Sequence, residues 1–170
     1  MSSNGIDLNR IIFLDEFLPL ELVKRLNASF DHHISASTNA KDKINFPPFQ
    51  VLLVNKTSIL SDRLKQNILP TFCYGSSARY GTIIHPQQSI DHGEIVIAIQ
   101  LGCDAMWPWF IQRNDGQTFD YELQPGQGLL FHGCTMRYWR PLFRGTKSNY
   151  ILLHYVYMAG SKVDLAFPMP

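Results

Sequence analysis

Residues 124–140 read QPGQGLLFHGCTMRYWR. The segment opens on Pro125-Gly126-Gln127-Gly128, a turn signal because proline presets φ and glycine admits the left-handed region. The apolar run Leu129, Leu130 and Phe131 follows and has the length of a short buried strand. Gly133 ends that run, and Tyr138-Trp139-Arg140 returns with a polar and aromatic texture. A turn, a buried strand and such a return is how the wall of a small β-barrel delivers side chains into its mouth.

Working outward, the chain from residue 71 onward consists of short apolar or alternating runs separated by Gly, Pro, Asn and Asp. The runs fall at 72–74, 80–84, 94–101, 107–112, 119–123, 128–131 and 149–158, and their spacing predicts most of an eight-stranded jelly roll. The first third has a different period. Residues 10–14 (RIIFL) read as a strand, and Pro19 suits the first turn of a helix. Leu20, Val23, Leu26 and Phe30 then give that helix one apolar face. Residues 31–49 read as a loop over the barrel and 50–54 as a strand. Thr57 or Ser58 caps a second helix with Ile59, Leu60, Leu64 and Ile68 as its stripe, and Pro70 ends it.

A length of 170 residues with 45% hydrophobic side chains supports one sizeable core. The expectation is a single domain over 1–170, helical over 1–70 and jelly-roll over 71–158. Fifteen basic and fourteen acidic residues give a net charge of +1, with no long run of like charge, so neither nucleic acid nor an anionic membrane is an expected partner. A small molecule or a peptide is, and oligomeric state is left open. Cys73, Cys103 and Cys134 are widely spaced, without a CxxC pair, and read as reduced thiols. The opening MSSNGIDLNR has no apolar leader, and no stretch approaches ~18 consecutive apolar residues, which makes the cytoplasm the expected compartment.

Phe131-His132-Gly133, the four-residue gap 134–137 and Trp139-Arg140 together resemble the second half of the double-stranded β-helix in 2-oxoglutarate/Fe(II)-dependent oxygenases, especially the prolyl-hydroxylase-like branch. Residues 11–26, IIFLDEFLPLELVKRL, resemble the opening of the same domains. The resemblance implies a mainly β double-stranded β-helix with N-terminal α-helices. It further implies hydroxylase-like dioxygenase chemistry on a small molecule or peptide, with Fe(II) and 2-oxoglutarate as cofactors if the chain is active.

Such an enzyme places two imidazoles and one carboxylate on one face of Fe(II). By the resemblance, the ligand positions here hold His85, Gln87 and Tyr138, and Tyr138 is also the candidate catalytic residue. A neutral amide and a phenol with an ordinary pKa near ~10 are poor substitutes for carboxylate and imidazole. A shifted set, His92, Glu94 and His132, restores the ligand types; against it, His132 follows Phe131 and so points to the other side of the strand. For the far carboxylate of 2-oxoglutarate, the resemblance offers Lys147 in Gly145-Thr146-Lys147, with Arg140 and Arg144 as rivals and Tyr80 as a hydroxyl donor. Two readings follow: a diverged enzyme with altered metal use or non-oxidative chemistry, and a non-catalytic binding protein that uses no cofactor.

Overall fold

The computed structural model describes residues 7–36 and 44–166. Residues 1–6 of the opening stretch and 37–43 of the expected loop lie outside the described residues. The elements run β1 (Ile12–Leu14), α1 (Leu20–Ala36), α2 (Pro47–Leu64), β2 (Ile68–Ala78), β3 (Ile84–Gln87) and β4 (Ile95–Cys103). They continue through β5 (Trp109–Gln112), β6 (Thr118–Tyr121), β7 (Gly128–His132), β8 (Arg137–Arg140) and β9 (Ser148–Tyr157).

The strands form two sheets, ordered β1-β7-β4-β9-β2 and β3-β8-β5-β6, with every pairing antiparallel. From β2 to β9 the chain changes sheet at each step except across the β5–β6 hairpin, which makes eight strands into a jelly roll. β1 adds a further edge strand beside β7.

Two cores lie on either side of the five-stranded sheet. Ile95, Ile97, Ile99 and Leu101 of β4 and Ile151, Leu153 and Tyr155 of β9 pack toward the helices. Val96, Ala98, Leu129, Phe131, Tyr138, Tyr150 and Leu152 fill the barrel interior. This is why β9 is buried along its whole length, with neither face left to water. The helices supply Val23, Leu26 and Phe30 from α1 and Phe49, Leu52, Leu53 and Leu60 from α2. Gly75 of β2 lets them seat: a Cβ there would lie 2.6 Å from the Phe49 ring and 2.7 Å from that of Phe30.

The turn before β7 forms as the 124–128 reading predicts. Gly126 has φ +90°, its N–H donates to Gln100 O at 2.9 Å, and its carbonyl accepts from Leu18 N–H at 3.0 Å. A side chain there would meet the Leu18 carbonyl at 2.7 Å, so left-handed backbone and close approach both select glycine.

The second helix corrects the sequence reading. α2 begins at Pro47, absorbs the expected strand 50–54, and ends at Leu64, capped by Lys65, whose φ of +56° closes the helix in the left-handed region. Pro47 and Pro48 occupy its first turn, where a missing N–H costs nothing, and Phe49, Leu52, Leu53 and Leu60 keep helical spacing. Pro70, expected as the helix stop, instead sits in β2. There an edge strand with a bulge between Pro70 and Phe72 tolerates the lost donor. The expected run 80–84 is mostly turn, and the strand forms over Ile84–Gln87. Among the described residues no helix is long and apolar enough to cross a membrane.

Candidate functional site at the barrel mouth

A cavity of about 510 Å³ opens between the ends of the two sheets. β3 supplies Ile84, His85, Pro86 and Gln87 to its wall, β8 supplies Tyr138, and β9 supplies Tyr150, Leu152 and His154. Phe72 and Tyr74 of β2, His92 from the β3–β4 loop, and Ile44 and Ile83 complete the lining.

Register brings these groups together. Gln87 is the cross-strand partner of Tyr138, and Phe72 is that of His154. On β9, inward positions alternate as Tyr150, Leu152 and His154, so the histidine points into the same space as Tyr138. Ser89, just beyond β3, is held by its N–H donating to Gly133 O at 2.7 Å. Its Oγ lies 2.6 Å from the Tyr138 hydroxyl and 3.2 Å from His154 Nε2. Tyr138, Ser89 and His154 are all buried, and together they form one hydrogen-bonded chain. His92 stacks on Phe72 at 4.5 Å with 18° between the rings, and its own ring centre is 5.8 Å from that of His154.

The electrostatics keep this chain neutral. Burial, then the neighbouring His92, lowers the His154 pKa to about 3, against a smaller upward pull from the Phe72 backbone. Burial raises the Tyr138 phenol, more than the Ser89 hydrogen bond lowers it. At neutral pH the three side chains therefore exchange hydrogen bonds without a formal charge.

Deeper in the barrel lies Arg140, 1% exposed. Its guanidinium carbon is 3.7 Å from the Trp107 ring centre, 4.7 Å from that of Trp109 and 5.3 Å from that of Tyr150. Nε donates to Trp107 O at 3.1 Å and Nη2 to Gln100 Oε1 at 3.4 Å. Desolvation lowers its pKa to about 10, so it remains a cation, held against aromatic faces. Trp107 and Trp109 thus pack in the interior, as expected of core aromatics.

The expected site residues divide into three groups. His85, Gln87 and Tyr138 meet at the mouth: the first two are exposed on the cavity edge and Tyr138 is buried at its back. The shifted set does not assemble. His132 faces the helix side, stacked on Tyr157 at 5.9 Å, in a separate cavity with Arg10 and Lys65. Glu94 accepts the Tyr157 N–H at 2.9 Å, and only His92 reaches the mouth. Among the described residues, no group of three or more His, Cys, Asp or Glu side chains could hold a metal ion.

The expected anion anchors are displaced as well. Lys147 pairs with Asp31 of α1, because β9 enters its sheet beside that helix and Asn149 also donates to Asp31 at 2.7 Å. Arg144 is exposed on the β8–β9 loop, and Tyr80 is 73% exposed at the turn before β3. Arg140 is inside the barrel but outside the cavity lining. Ser89, His154 and Phe72 were not anticipated. A lone histidine in NYILLHYVY, in phase with Tyr150 and Leu152, was the one available signal.

No protein-family model and no curated protein sequence matches the chain. Solved structures match in fold. A Pseudomonas putida prolyl-4-hydroxylase superposes with TM-score 0.67 at 12% identity, covering 85% of this chain and 86% of that one. A 2OG-Fe(II) oxygenase family oxidoreductase from Burkholderia pseudomallei gives 0.64 at 13%, covering 85% and 83%. HygX from Streptomyces hygroscopicus, with nickel and 2-oxoglutarate bound, gives 0.66 at 10%, covering 88% and 83%. The chain therefore has the jelly-roll fold of the 2-oxoglutarate/Fe(II)-dependent oxygenases, the fold that its 124–140 segment resembles.

Proposed function

We propose that the barrel mouth is a binding pocket for a small molecule or a peptide side chain and works without the two-histidine, one-carboxylate iron centre of the oxygenases. One observation carries this reading: the hydroxyl of Tyr138, the residue that the resemblance puts at the distal iron-ligand position, is 2.6 Å from Ser89 Oγ in a buried chain ending at His154. A phenol whose pKa is raised by burial would have to lose both its proton and that partner to ligate a metal. Gln87, beside it across β3 and β8, brings no charge. The donor set does not fit Fe(II) held by a facial triad.

The fit to 2-oxoglutarate is no better. Among the described residues, the cavity lining contains no Lys or Arg, whereas a dicarboxylate taken out of water needs a fixed cation. Metal analysis of the purified protein, with a 2-oxoglutarate turnover assay under added Fe(II), tests the reading. It expects neither stoichiometric iron nor turnover. A second reading, a diverged enzyme with altered metal use, draws support from His92 and His154, whose ring centres are 5.8 Å apart in the mouth. Titration with Ni(II) or Zn(II), followed by the histidine NMR signals, separates the two: saturable binding at both imidazoles favours the second.

A further inference from the structure

We infer that the barrel mouth receives an uncharged aromatic or heteroaromatic group carrying one hydrogen-bonding substituent; this rests on the reading of the mouth as a metal-independent pocket. The wall supplies the shape. Phe72 and His92 form a stacked pair at 4.5 Å, and Tyr74, Tyr138 and Tyr150 contribute further rings. Ile44 and Ile83 at the rim are 42% and 46% exposed, so apolar surface continues from the cavity to its entrance. Rings against rings gain offset-stacked or edge-to-face contacts as well as burial, which favours a flat apolar guest over a branched polar one.

Charge decides against the alternatives. Among the described residues, no side chain of Lys, Arg, Asp or Glu lines the cavity. Two of the expected anion anchors are engaged elsewhere: Arg140 by Trp107, Trp109 and Tyr150, and Lys147 by Asp31. Against these described residues, a carboxylate or phosphate would give up hydration with no fixed counter-charge, and an ammonium would find no carboxylate. The polar element at the back of the mouth is the Tyr138–Ser89–His154 chain. Its two hydroxyls rotate, so it can offer either a donor or an acceptor to one hydroxyl, carbonyl or ring N–H of the guest.

The test is a titration of the 170-residue chain at pH 8 with phenol and indole, and with benzoate and 2-oxoglutarate as charged counterparts, following the imidazole proton signals by NMR. Phenol and indole should shift the His92 and His154 signals saturably, while the two anions should not. His92→Ala should weaken phenol binding about tenfold, the value of one ring contact. Phe72→Leu keeps apolar volume and should weaken it as well, with an unchanged circular dichroism spectrum. Tighter binding of benzoate or 2-oxoglutarate than of phenol, or no shift with either aromatic, overturns the inference. Fe(II)-dependent turnover of 2-oxoglutarate would instead defeat the function proposed above. Its absence, together with failed aromatic binding, defeats this inference alone.

Discussion

The Tyr138 hydroxyl and Ser89 Oγ stand 2.6 Å apart inside the barrel mouth, and the same Oγ is 3.2 Å from His154 Nε2. Ser89 is therefore the shared partner of two buried polar groups. Ser89→Ala should destabilise the fold by about 1–3 kcal/mol, the cost of leaving buried partners unsatisfied. Tyr138→Phe should cost less, because Ser89 then keeps His154. Denaturant midpoints of the two variants check the order; equal losses would mean that Ser89 does not link the pair.

Acid should unfold the protein through His154. Its folded pKa of about 3 lies below the ordinary imidazole value near ~6.5, so the unfolded chain binds more protons between those limits. Stability should fall as the pH drops through that window, by at most about 1.4 kcal/mol per pH unit from this group. Burial lowers the His132 pKa as well, with the same sign. His154→Gln should flatten the slope of stability against pH measured by denaturant titration, and an unchanged slope would remove His154 as its source.

Lys147 and Asp31 are each about one-third exposed at the edge of α1. Lys147→Ala should cost under about 1 kcal/mol, as for other partly exposed ion pairs. Asp31→Ala should cost more, since Asn149 Nδ2 also donates to that carboxylate at 2.7 Å. Thermal melts rank the two, and a larger loss for Lys147→Ala would point to a role beyond this pair.

Gly75→Ala places a methyl group 2.6 Å from the Phe49 ring and 2.7 Å from that of Phe30. Either helix must move off the sheet or the rings must leave their rotamers, at about 1–3 kcal/mol for overpacking. Chemical denaturation should show that loss, and an unchanged midpoint would mean that the aromatic cluster gives way freely.

Most of the barrel was legible in the sequence because its strands are short runs punctuated by turn residues. The 124–140 segment yields the Gly126 turn, β7 and β8 in register with that reading. The helical third was harder. The residues of 50–54 are apolar enough for a strand, and only the prolines seated in the first turn and the later Leu60 reveal one continuous helix. The site was half legible. The family resemblance leads to His85, Gln87 and Tyr138, which line one mouth. It cannot show that Lys147 turns toward α1, that Arg140 is enclosed by rings, or that Ser89 and His154 close a chain behind Tyr138, because those facts depend on strand alternation and cross-sheet pairing.

The most direct test of the central claim is the Fe(II) content of the wild type and of the double variant Gln87→Asp with Tyr138→His, measured after anaerobic loading and desalting. Little iron is expected in the wild type and a marked gain in the double variant, whose mouth regains two imidazoles and a carboxylate at His85, position 87 and position 138. Stoichiometric Fe(II) in the wild type, lost in His92→Ala or Glu94→Ala and unaffected by the double change, would contradict it.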